Sequence, residues 1–464
     1  MIRALATFVF VLLAALPARA IEIQEITSPG GIRAWLAQDG SIPFAAMTVL
    51  FKGGASLDAP GKRGAINLMT ATLEEGAGDL DATGFAEALE GLGAEIGFSA
   101  GDDALTITFR ALSENRDQAA DLLRQALTET RFDSDRVELV RAQVQLSIRA
   151  EATDPQSIAA KEMARQAWGD HPCGSSTSGT ADSVAALTRD DLIDARNRVI
   201  ARDRMIVAVS GDITPEDLGI LLDRTFGTLP ETGTAPLPQP ATLGLTGGVT
   251  VIDWDSPQTV VGFAGPGLPM DDPDYFAAFV ANHILGGGGF SSRLMDEIRE
   301  KRGLTYGVST GLANGLYGDS WQGGMASGNE RVAEAVDLVR QEWARLADGV
   351  TDQELNDAKT YLTGEYPLRF DGNRRIAGIL AGMQLVGLPA DYVNTRNDKV
   401  EAVTAADVQR VAQRLLKADN LRFVLVGRPA GLDADGARLP AAETATEAAT
   451  ETTTETAAEP EPVQ

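Results

Sequence analysis

The side chains in this chain that could bind or activate a ligand are few. Among 464 residues there are two histidines, His171 and His283, and one cysteine, Cys173. A hydrolytic zinc site carried on a helix needs two imidazoles four residues apart on one face, with a carboxylate beside them. Two histidines separated by 112 positions cannot make that pair. His171 precedes Pro172 and reads as a turn residue, whereas His283 lies in the apolar run AAFVANHILGG and reads as partly buried. With a single cysteine no internal disulfide can form. Four consecutive glycines, Gly286, Gly287, Gly288 and Gly289, sit in LGGGGFSS. The G-K-[ST] ending of a phosphate loop is missing there. Such a run lets backbone approach a bound chain closely or move as a gate; equally, it can be a flexible entry to the helix that follows.

Bulk properties bound what surrounds these residues. Length suits two or more domains, and 44% hydrophobic with 23% charged residues is ordinary for soluble globular protein. A net charge of −26 disfavours nucleic acid and anionic membranes as partners. Residues 1–20 read as a secretory signal: Arg3, an apolar run from Leu5 to Leu16 too short to span a bilayer, then Ala18-Arg19-Ala20. The mature chain is expected to be soluble and periplasmic, with no membrane association after cleavage. Residues 441–464 hold six Glu and no Lys or Arg among Ala, Thr and Pro, so 431–464 are expected to form a disordered acidic tail. The Pro-, Gly- and Thr-rich stretch 231–247 reads as a linker between an N-terminal domain, 21–230, and a C-terminal domain, 248–430.

Those two halves repeat each other. LTRDDLIDARNRVIARDRMIVAVSGD from Leu187 matches VTAADVQRVAQRLLKADNLRFVLVGR from Val403 without a gap. The alignment pairs Thr188 with Thr404, Asp191 with Asp407 and Gly211 with Gly427. Each copy reads as a helix opened by a Thr-x-x-Asp cap, a turn and a buried strand ending at glycine. EALEGLGAEIGFS from Glu87 likewise pairs with EIREKRGLTYGVS from Glu297. The fold class expected is α+β, with two homologous domains, each a mixed sheet flanked by helices.

Three stretches carry a family resemblance: APGKRGAINLMTATLEEGAG at Ala59, WGDHPCGSSTSGTADSVAALTRDDL at Trp168 and GGFSSRLMDEIREKRGLTYGV at Gly288. With the duplication, they make the chain similar to the M16 (pitrilysin-like) peptidases of the short two-domain class, from about Ile21 to Pro429. The resemblance implies a clamshell of two homologous domains enclosing a peptide. Active members carry H-x-x-E-H on a helix of the first domain and a further Glu downstream. Here Asn67, Thr70 and Ala71 fall where the two His and the Glu belong, and the distal region, Gln143 to Ile148, has no carboxylate. Neither amide, hydroxyl nor methyl replaces imidazole as a zinc ligand or carboxylate as a general base. No metal is therefore expected in this chain, and the zinc is expected in a partner subunit, an M16 homologue that keeps H-x-x-E-H.

The same resemblance assigns Arg299 and Tyr306 to the catalytic role that the family gives an Arg and a Tyr seven residues apart in the second domain, facing the zinc across the cleft. It also ties Gly286 to Gly289 to substrate recognition. Guanidinium and phenol donors aimed at a developing oxyanion stabilise charge that arises only in the transition state. Taken alone, the residues allow a plainer account: Arg299 borders a stripe of Leu294, Met295 and Ile298, and Tyr306 alternates with Leu304 and Val308 as a strand-core residue would. The function expected is a non-catalytic subunit of a heterodimeric zinc metallopeptidase that binds peptide and completes a composite active site, without activity alone. The alternative is a purely structural or peptide-binding protein of the same fold.

Overall fold

Runs of β-branched and aromatic residues, bounded by Gly, Asp and Pro, fold into the strands of two sheets, and the computed structural model describes residues 22–433. The expected signal at 1–20 lies outside the described residues, as does the expected acidic tail except for 431–433. Leu432 packs against the second hydrophobic core.

In the first sheet the strands are β1 (Gln24–Thr27), β2 (Arg33–Gln38), β3 (Phe44–Lys52), β4 (Glu95–Ala100), β5 (Ala104–Leu112) and β6 (Met205–Gly211). Their order is β1-β2-β6-β3-β5-β4, with β2 and β6 parallel and the other pairs antiparallel. The second sheet holds β7 (Gly248–Asp253), β8 (Gln258–Pro266), β9 (Thr305–Asn314), β10 (Asp319–Gly328) and β11 (Arg422–Gly427). It runs β7-β11-β8-β10-β9, with only β7 and β11 parallel. Leaving out the edge strand β1, the two sheets share one order and one set of strand directions, so the repeat read from sequence is a repeat of topology.

Nine helices position the features discussed below: α1 (Ala65–Ala71), α2 (Ser134–Glu151), α3 (Pro155–Trp168), α4 (Arg189–Val199), α5 (Tyr275–Asn282), α6 (Asp352–Glu365), α7 (Asn373–Leu385), α8 (Tyr392–Glu401) and α9 (Ala405–Leu415). Thr188 and Thr404 close capping boxes on α4 and α9, each accepting from the backbone N–H of the Asp three residues on. Gly211 and Gly427 end the matching strands at φ 131° and 156°, and an added Cβ would come within 2.4 Å of Phe44 O or Thr259 Oγ1 respectively.

Each sheet packs its main core against helices of its own half. The opposite face is covered by a helix from the other half. α7 lays Leu380, Ala381 and Met383 onto Ala37, Leu50, Ile206 and Ala208 of the first sheet. α3 lays Ala159 onto Val424 and Val426 of the second. Polar contacts fix both exchanged helices. Ser210 Oγ donates to Asn373 Oδ1 at 3.1 Å, and Gln384 Nε2 donates to Val207 O at 3.0 Å. Gln166 Nε2 donates to Thr250 Oγ1 at 3.1 Å. Between Phe226 and Gly248 the chain forms no helix or strand. Among the described residues no helix is long and apolar enough to cross a membrane.

Candidate functional site

α1 carries the segment that the sequence places at the zinc position. Asp58 opens this helix, its carboxylate accepting from the backbone N–H of Gly64 and of Ile66, each at 2.8 Å. Burial pushes that carboxyl up to about 6 against the pull of these donors. Asn67 and Ala71 are half-buried, Thr70 is buried, and Thr70 Oγ1 has no hydrogen-bond partner. α2 turns Val140, Val144 and Ile148 into the same core. Zinc does not fit this donor set: a carboxamide, an unpartnered hydroxyl and a methyl group stand where two imidazoles and a carboxylate would be needed. Among the described residues, no group of three or more His, Cys, Asp and Glu could hold a metal.

Both histidines have other work. His171 Nε2 donates to Gln239 O at 3.1 Å, and its Nδ1 accepts from Cys173 N at 3.2 Å, which fixes the tautomer. His283 is buried against Tyr361, the ring centroids 4.9 Å apart, and burial lowers its pKa below the ordinary imidazole value.

The segment from His283 to Lys301 has an unusual backbone. Two turns close with bonds to the fifth residue back, Gly288 N to His283 O at 2.8 Å and Lys301 N to Asp296 O at 2.9 Å. Such π-turns cluster at functional sites. The glycines between them are mostly fixed by contacts. A Cβ on Gly286 would come within 2.6 Å of Thr310 Oγ1, one on Gly287 within 2.6 Å of Asn282 Nδ2, and one on Gly288 within 2.8 Å of His283 O. Gly289 faces open space at φ 58°.

Leu294, Met295 and Ile298 bury their side chains and leave Arg299 at the border. Its guanidinium lies over the exposed Phe290 ring, 4.4 Å from the centroid. Arg299 Nη1 lies 3.3 Å from Glu300 Oε1, yet this nitrogen makes no hydrogen bond. The neighbouring Arg302 is committed: its Nη1 donates to Glu297 O at 2.8 Å and to Glu297 Oε2 at 2.6 Å. Arg299 Nη1 is thus a buried donor without a hydrogen bond, whereas Arg302 Nη1 is held by Glu297.

Tyr306 departs from simple alternation. Thr305 pairs with Ser327 and Val308 with Met325, so Tyr306 and Gly307 together oppose Ala326 in a β-bulge. Thr305 Oγ1 fills the gap in the ladder, donating to Ala326 O at 2.7 Å and accepting from Gly307 N at 3.1 Å. Leu304 and Val308 are buried, but Tyr306 is 88% exposed, whereas Ile96, its counterpart in the first half, is 8% exposed. Tyr306 stands at a groove of about 800 Å³ between α3 and the second sheet, lined by Ala160, Met163 and Ala164 on one side and by Gly307, Gly311 and Gly323 on the other.

The profile "Insulinase (Peptidase family M16)" matches residues 33–181, and "Peptidase M16 inactive domain" matches residues 186–362. The chain belongs to peptidase family M16. Within this M16 frame, the chain is 25% identical over 386 residues to "Non-peptidase homolog YmxG" of Helicobacter pylori, covering 83% of this chain and 89% of that one. It is 28% identical over 407 residues to an uncharacterized zinc protease of Mycobacterium tuberculosis, covering 86% and 92%. The crystal structure of a peptidase M16 inactive domain from Pseudomonas fluorescens superposes with TM-score 0.82 at 28% identity, over 88% of this chain and 98% of that one.

Proposed function

We propose that this M16 chain is the non-catalytic subunit of a two-subunit zinc peptidase in the periplasm. It holds the peptide and contributes Arg299 and Tyr306 to an active site whose zinc belongs to a partner with H-x-x-E-H. The observation that carries this reading is Tyr306: a bulge spends two backbone positions to turn an aromatic side chain outward at a groove, where the first half keeps a buried Ile96. Close by in sequence, Arg299 has a nitrogen without a hydrogen bond. Both are donors suited to an oxyanion, and α1 of the same chain has no ligand set of its own. The glycines from Gly286 to Gly289 precede the Arg299 turn and bring backbone, rather than side chains, toward the peptide. The signal-like residues 1–20 support export.

A purely structural or peptide-holding role is the second reading. It draws on the stack of Arg299 on Phe290, which gives the guanidinium an internal partner. The two readings separate in the assembled complex. Arg299→Ala and Tyr306→Phe are each expected to lower peptide turnover by roughly a hundredfold, the usual loss for one oxyanion donor, with assembly unchanged. Wild-type turnover in both variants would leave only the second reading.

A further inference from the structure

A separate cavity, of about 330 Å³, lies among α5, the segment after α6, α7 and α8. It shares no residue with the groove at Tyr306. Its polar lining is one-sided: Tyr275, Tyr366, Tyr392, Arg369 and Arg396, without a single Asp or Glu. In a chain with 66 acidic and 40 basic residues that composition is an outlier.

Arg396 is the centre of it. The side chain sits between Phe279 and Tyr366, its guanidinium carbon 5.0 Å and 4.5 Å from their ring centroids. The residue is 3% exposed, yet it forms no ion pair among the described residues. Its Nη1 donates to Leu362 O at 2.7 Å and to Asn397 Oδ1 at 2.9 Å, which ties α8 to the end of α6. The nearby carboxylate of Glu365 is already taken by Arg369, at 2.8 Å and 2.9 Å. A buried cation without a counter-ion is costly, and an incoming anion relieves that cost. Burial pushes the Tyr275 and Tyr366 hydroxyls up to about 12, so both remain protonated donors at neutral pH. The remaining walls, among them Ile379, Met383 and Leu388, are apolar.

We infer that this cavity binds a carboxylate carried on a small apolar body, with Arg396 facing the carboxylate and the tyrosine hydroxyls beside it. Two sources present this chemistry, a free aromatic or aliphatic acid and the C-terminal residue of a peptide. The site is independent of the Arg299 and Tyr306 reading.

Titration calorimetry on the full chain tests it with four probes: 3-phenylpropionate, its amide, N-acetyl-Ala-Phe as the free acid, and the same dipeptide as its amide. Saturable binding of at least one acid below about 1 mM is expected. Its amide should bind at least about tenfold more weakly, because a charge-assisted hydrogen bond is lost. The better of the two acids identifies the source. Arg396→Met should abolish acid binding. Tyr366→Phe, which keeps the guanidinium and the ring, should weaken it a few-fold. Equal affinity of acid and amide in the wild-type chain, or no saturable binding of any probe, would overturn the inference, and neither result depends on a variant folding.

Discussion

Arg299 and Phe290 form a stacked pair on the surface of the second half, with the guanidinium 4.4 Å from the ring centroid. Phe290 is itself 69% exposed, so the ring is held out to solvent rather than packed away, and the arginine lies against it. A stack of this kind orients a guanidinium without using up its hydrogen-bond donors.

Removing the ring should therefore misplace the arginine without removing it. Phe290→Ala is expected to cost about 0.5–1 kcal/mol, the usual worth of an exposed cation–π contact, or a roughly two- to fivefold fall in turnover of the complex. Arg299→Ala in the Phe290→Ala background should add less than its full single-variant loss. A double-mutant cycle on turnover reads this coupling, and strict additivity would mean that Phe290 does not position Arg299.

The exchanged helices make the two halves one unfolding unit. Leu380 on α7 is fully buried against the first sheet although it belongs to the second half. Leu380→Ala should destabilise the chain by about 2–5 kcal/mol and still leave a single transition in urea. Two resolved transitions would show that the halves unfold separately.

Gly286 and Gly289 should respond differently to alanine. The first would drive a Cβ into Thr310 Oγ1 on β9, and about 1–3 kcal/mol of destabilisation is expected from that overlap. At the second the space is open and only the positive φ opposes a side chain, so about 1 kcal/mol is expected. Urea midpoints of the two variants check the order; equal losses would mean that contact with β9 does not fix the glycine run.

Glu354 links the turn carrying Arg299 to α6 through Arg293, with Nε 2.7 Å from Oε1 and Nη2 3.0 Å from Oε2. Burial pushes the Glu354 carboxyl up, but Arg293 and the Thr351 donors outweigh it and hold it down at about 2. An unfolded glutamate titrates near 4.3 (roughly). The folded state thus favours the ionised form, and its stabilisation is complete above the unfolded value and lost as pH falls toward 2. Glu354→Gln should lower stability at pH 7, with the gap to wild type closing between about 4.3 and 2. Urea denaturation across that range measures it, and a gap independent of pH would show that the carboxylate is not the stabilising group.

Much of this architecture is legible in the residues. Thr188 with Asp191 and Thr404 with Asp407 announce two helix starts, and both form capping boxes. The strands MIVAVSG and RFVLVG sit in the interior of their sheets and end at left-handed glycines. The exchange of α3 and α7 was not legible. Ala159, Leu380 and Ala381 are apolar for a face that exists only once the other half has folded, and local periodicity does not name the partner of a face. Tyr306 defeated the alternation argument for a related reason. The pattern Leu304, Tyr306, Val308 assumes an unbroken ladder, and the bulge after Thr305 breaks it. The cavity around Arg396 gave no sequence signal, because its tyrosines and arginines come from three separate parts of the second half.

The most direct test of the account is metal analysis joined to a peptide-cleavage assay on this chain purified by itself. With Asn67, Thr70 and Ala71 on α1, the account predicts far less than one zinc per chain and no hydrolysis, with both appearing only when an H-x-x-E-H subunit is added. One tightly held zinc per chain together with hydrolysis by the chain alone would contradict it.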